Sequence, residues 1–76
     1  MKVLKQNDIV ALLDDLPQHD LHRGDVGTVI EVFAQTAERP AGYIVEFVNE
    51  SGGVYAQADI TDISQIIPLR FRREAA

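Results

Sequence analysis

Glycine and proline interrupt this 76-residue chain so often that a long helix has no room to form. The longest stretch free of both is the first sixteen residues. Its apolar positions bunch at residues 9–13 instead of recurring every three or four. The remaining segments favour strands. "DIVALL" (8–13) is a short apolar run ending in an acidic turn, and "VGTVIEVF" (26–33) is rich in β-branched residues. "YIVEFV" (43–48) alternates Tyr43, Val45 and Phe47 on one face with Ile44, Glu46 and Val48 on the other. "VYAQADI" (54–60) and "QIIPL" (65–69) complete the set, the last ended by Pro68, which has no N–H for a ladder.

The connections carry turn chemistry. "AQTAERPAG" (34–42) is a loop broken by Pro40 and Gly42. "NESGG" (49–53) suits a tight hairpin, because Asn and Gly tolerate positive φ. "TDIS" (61–64) predicts one helical turn capped by Thr61 or Asp62. Five short strands at this spacing predict an all-β domain, a small SH3-like, partly open β-barrel. It occupies residues 1–69, with residues 70–76 as a flexible basic tail. Val10, Leu12, Val29, Val32, Tyr43, Val45, Phe47, Tyr55, Ile63, Ile66 and Leu69 are the expected core.

A chain of this length keeps only about 3–5 kcal/mol of net stability unless a disulfide, metal or partner helps. It has no cysteine, so disulfides and thiolate metal sites are excluded. No stretch approaches the roughly 20 apolar residues needed to span a bilayer, and the N-terminus makes a poor signal peptide. A cytoplasmic protein is the expectation. The formal net charge is −5. Arg70, Arg72 and Arg73 fall in the last seven residues, so the body before Pro68 has four basic against eleven acidic residues. Such a body repels a phosphate backbone.

Residues 16–33, "LPQHDLHRGDVGTVIEVF", hold both histidines and an Arg-Gly-Asp triplet. Gly24 and Gly27 open a strand rather than a helix, so they suit a turn and close backbone packing, not a phosphate loop. His19 and His22 lie in a polar segment after Pro17, expected to be extended, and no metal site is assigned to them. His19 is expected to order the loop by a side chain-to-backbone hydrogen bond. Pro17, His19, Gly24, Asp25 and Gly27 are thus read as structural turn residues. Ser51 and Ser64 lie on turns far in sequence from either histidine. Asp14 and Asp15 are adjacent, so in extended chain they point to opposite sides. Neither catalysis nor a cofactor is called for.

The pattern D-L-P-x-H-x-L-x-x-G-D-x-G-T-V from Asp15 to Val29, followed by "YIVEFVNESG" and "IIPL", resembles a group of short bacterial proteins classed as a domain of unknown function. The resemblance covers roughly residues 8–69 and implies a small β domain with no assigned activity. Gly24, Gly27 and Val29, with "DISQII", more distantly resemble KOW-type SH3-like barrels. That likeness implies the barrel fold, but the basic loops of their nucleic-acid-binding members are missing here.

The function these features favour is a non-catalytic protein-interaction module. Ile9, Leu13, Ile44, Val48 and Phe71 are candidates for an apolar outer face that binds another protein or a second copy. The acidic body suits a basic partner, and one form of such a module is antitoxin-like, neutralising a neighbouring gene product. Arg70, Phe71, Arg72 and Arg73 are the candidate partner contacts. The alternative is a KOW-like nucleic-acid-associated domain that uses the C-terminal arginines. No membrane or small-molecule substrate is expected.

Overall fold

A computed structural model describes residues 4–70. Five strands form where the β-branched and alternating segments predict them. They are β1 (Ile9–Leu12), β2 (Val26–Phe33), β3 (Gly42–Val48), β4 (Val54–Ile60) and β5 (Ile66–Pro68). Two 3₁₀ turns, Pro17–His19 and Ile63–Gln65, interrupt the connections. All strands pair antiparallel in one sheet of order β4-β3-β2-β1-β5. The sheet does not close, because β4 and β5 are its two edges and do not pair with each other.

Alternation along each strand sends one set of side chains to a single core face. Val10 and Leu12 of β1, Val29 of β2, Val45 and Phe47 of β3, Ala58 and Ile60 of β4, and Ile66 of β5 are buried together there. An open sheet leaves this face in need of a cover. Leu4 supplies part of it from the N-terminal segment, and Leu16 and Leu21 supply more from the β1–β2 loop. The two loop leucines clasp each other through paired backbone hydrogen bonds, Leu16 N–H to the Leu21 carbonyl at 2.9 Å and the reverse at 3.1 Å. Leu4, Leu16, Leu21, Ala58 and Ile60 join the core although they were not among the residues expected there.

Three expected core residues are exposed instead: Val32, Tyr55 and Ile63. A bulge between Val29 and Glu31 shifts the β2–β3 register, and Val32 lies past the residues that β1 pairs with. Tyr55 falls in a second bulge, where Val48 pairs with Val54 while Phe47 pairs with Ala56. Ile63 opens the second 3₁₀ turn on its solvent side. Tyr43 packs against the core from its margin, and Leu69 is half-buried.

Gly27 shows why β2 and β3 approach so closely. A methyl group at its Cα would sit 2.6 Å from Val45 Cγ1, 2.8 Å from the Glu46 carbonyl and 2.9 Å from Phe47 Cδ1. Gly27→Ala is therefore expected to cost about 1–3 kcal/mol of overpacking. Leu21→Ala, which uncovers the core face, is expected to cost about 2–5 kcal/mol. Urea denaturation of the two variants measures both, and an unchanged midpoint in either would contradict the packing described.

Candidate functional site

The β1–β2 loop that carries the motif is held by carboxylates acting on backbone N–H groups. Pro17–His19 is a 3₁₀ turn, not an extended segment: the His19 N–H donates to the Leu16 carbonyl and the Asp20 N–H to the Pro17 carbonyl. Asp20 closes it in the left-handed region at φ 56°, a conformation that the short polar side chain tolerates. The expected ordering bond of the His19 side chain is replaced by this backbone bond, and His19 itself is exposed. Asp15 accepts from the Arg23 N–H at 2.8 Å, and Asp25 accepts from the His22 N–H at 2.9 Å. Gly24, at φ +94°, turns the chain so that its own N–H reaches the Leu12 carbonyl. The Arg-Gly-Asp triplet is thus the corner that delivers β2 to β1. Asp15, read from sequence only as one of two adjacent carboxylates, has this role because the fold brings it to Arg23.

The chemistry of this loop is that of a rim. His22 Nε2 lies 3.9 Å from Asp20 Oδ1, and both side chains are largely in water. Among the described residues, no group of three or more His, Asp or Glu side chains is placed to hold a metal. Tyr55 on β4 lies near the acidic side chains Asp25 and Asp20 of this loop. Its phenol is pushed above the ordinary tyrosine value by partial burial first, then by the negative charge of Asp25, with Asp20 adding to the effect. It stays protonated at neutral pH and is suited to donate a hydrogen bond, not to act as a base.

Elsewhere the turns repeat the same logic. Asn49 Oδ1 accepts from the Ser51 N–H, the Ser51 hydroxyl and the Gly53 N–H, which closes the β3–β4 hairpin with Gly52 at φ +87°. Thr36 Oγ1 accepts from the Glu38 and Arg39 N–H groups, and the Arg39 guanidinium lies 3.8 Å from the Phe33 ring centroid. Asp62 caps the second 3₁₀ turn by accepting from the Ser64 N–H and hydroxyl.

The second face of the sheet carries the larger feature. The register aligns Ile67 with Ala11 across β5 and β1, and Ala11 with Val26 across β1 and β2. The β2–β3 pairing Gly27–Phe47 places Val26 beside Val48, which in turn pairs with Val54 of β4. One aliphatic row therefore crosses all five strands on the side away from the core. Ile67, Val26, Val48 and Val54 are 37%, 42%, 40% and 54% exposed, and Ala11 is half-buried between them. Leu13 is exposed at the same end, while Ile9 and Ile44 are half-buried on the outer face. The next row is mixed: Ile9, Thr28, Glu46 and Gln57 stand side by side, with a Gln57–Glu46 hydrogen bond of 3.4 Å. Val26, Val54 and Ile67 were missed from sequence because each sits near a strand end, where only the register reveals its neighbours.

Arg70 is exposed, whereas Phe71, Arg72 and Arg73, with the rest of the expected tail, lie outside the described residues. Residues 4–70 hold four basic and eleven acidic side chains. No helix among them is long and apolar enough to cross a membrane.

Hydrogen bonds from Ser64 favour the ionised form of Asp62 and hold its carboxyl below the ordinary aspartate value. With the folded value depressed, this cap contributes fully above the ordinary aspartate pKa and is lost as pH falls through the folded value. NMR titration of the Asp62 carboxyl is expected to give a midpoint below the usual aspartate range, moving up towards it in Ser64→Ala. An unmoved midpoint would mean that Ser64 is not its partner in solution.

No curated protein and no solved structure matches the chain. A family model does match, over residues 6–66, and so takes in all of β1 to β4, both 3₁₀ turns and the first residue of β5. The chain belongs to the family described as Domain of unknown function (DUF4926).

Proposed function

We propose that this domain is a non-catalytic protein-interaction module whose outer sheet face receives a basic partner protein. The observation that carries the reading is the aliphatic row Ile67–Ala11–Val26–Val48–Val54, continuous across every strand and left in water. A monomer gains nothing by exposing such a row, while a partner that covers it removes apolar surface from water. Charge selects the partner. With eleven acidic against four basic residues over residues 4–70, and Glu46 and Asp59 on the same face, a basic surface is attracted and a second acidic copy is repelled. The same charge opposes nucleic acid.

Catalysis finds little support in the same features. Among the described residues no polar or charged side chain is buried, and Tyr55, the one acid held above its ordinary value, is itself exposed and stays protonated at neutral pH. An antitoxin-like subunit is one form of this module, and it calls for a basic partner encoded alongside the chain.

The test is capture of partners encoded by neighbouring genes, with the wild-type chain compared with Val26→Glu and Val48→Glu. The expected outcome is a basic partner whose affinity falls at least about tenfold in either variant. Equal capture by wild type and variants would remove the face from the function. Retention on nucleic acid at low salt, lost when Arg70 is changed to Ala, would overturn the reading in favour of the nucleic-acid alternative.

A further inference from the structure

The two edges of the sheet are unequal. Strand β5 has three residues and ends in Pro68, so it offers little for another strand to pair with. Strand β4 has seven residues, Val54–Ile60, with no proline and no lysine. Among the described residues, its backbone hydrogen bonds go to β3 alone.

The ladder fixes which groups of β4 are free. The Val29 N–H donates to the Asp8 carbonyl at 2.9 Å and the Val29 carbonyl accepts from the Asn7 N–H at 2.7 Å, so Val29 turns its backbone towards the β1 side. Backbone direction alternates along an antiparallel strand and pairs in register across it. Val45, the partner of Val29, therefore turns towards β4 and bonds Ala58. Gln57 and Asp59, on either side of Ala58, aim their N–H and C=O groups away from β3, where no backbone group of the described residues bonds them.

We infer that β4 is a docking edge, and that its occupant is an extended segment of another protein in which aliphatic and basic residues alternate. The alternation follows from the side chains flanking that edge. On the core side β4 has the half-buried Ala56 and the buried Ala58, both part of the apolar cluster, so an aliphatic side chain of the incoming strand would extend that cluster. On the outer side it presents Gln57 and Asp59, with Glu46 one strand behind. A strand laid along β4 turns alternate residues to the two faces, so apolar positions meet the alanines and basic positions meet the carboxylates. A second copy fits poorly: β4 contains no basic residue to place opposite Asp59, and both copies are strongly acidic.

The inference rests on the interaction-module reading and adds to it the place and chemistry of one contact. The probe is a short synthetic peptide in which valine and arginine alternate, titrated into the labelled full chain and followed by NMR. The control peptide has glutamate in place of arginine. Saturable binding of the arginine peptide that weakens with salt, with hydrogen-exchange protection gained at the Gln57 and Asp59 amides, is the expected result. Asp59→Lys should weaken it about tenfold or more. Gln57→Pro removes an outward N–H without breaking the β3 ladder and should abolish it. Should that variant fail to fold, Asp59→Lys alone decides. Equal binding of the glutamate peptide would overturn the inference. So would a dimer in light scattering that Gln57→Pro dissolves, since the occupant would then be a second copy. Peptide binding lost in Val48→Glu but unchanged in Gln57→Pro and Asp59→Lys would leave the module reading standing and sink the docking edge.

Discussion

Everything in this domain depends on keeping one face of one open sheet dry. Eight strand residues from Val10 to Ile66 point to that face, and no second sheet or helix packs on it among the described residues. The cover comes instead from Leu4, Leu16 and Leu21, three side chains that belong to no strand. That economy suits a short chain, because a loop that must connect β1 to β2 also completes the core. It also explains why the motif lies in this loop. Its leucines must reach the buried cluster that includes Phe47, so the turns around them must be held to one conformation.

Aspartates do most of that holding. Asp15, Asp25 and Asp62 each accept backbone N–H bonds that loops would otherwise leave to water, and Asn49 does the same for the β3–β4 hairpin. The acidity of the chain is therefore partly a by-product of its turn chemistry. The aspartates that cap these turns add to the formal net charge of −5, and the whole surface carries their field. One set of residues thus shapes both the fold and the charge of the surface.

Openness has a second consequence. A sheet that does not close keeps an outer face and two edges, and here the outer face and the β4 edge are not blunted. The aliphatic row crosses every strand, and among the described residues alternate backbone groups of β4 have no partner. The row and the edge meet at Val54, so one partner can reach both, and binding would relieve two costs of the isolated domain together.

The sequence alone determined the strands and most of the turns, though not Pro17–His19, which was expected to be extended and forms a 3₁₀ turn. Runs such as "VGTVIEVF" and "YIVEFV" announce themselves by β-branching and alternation, and Gly24, Asn49 and Asp62 by chemistry that acts over two to four residues. These are short-range effects, legible wherever the residues stand. The tertiary structure decided the rest. Two bulges moved Val32 and Tyr55 out of the core, and Leu16 and Leu21, which look like loop residues, became its cover. Asp15 met Arg23 only after folding. Val26, Val48 and Val54 became one row only through strand register. Register and bulges depend on which residues of distant strands face one another, and no local preference in the chain encodes that.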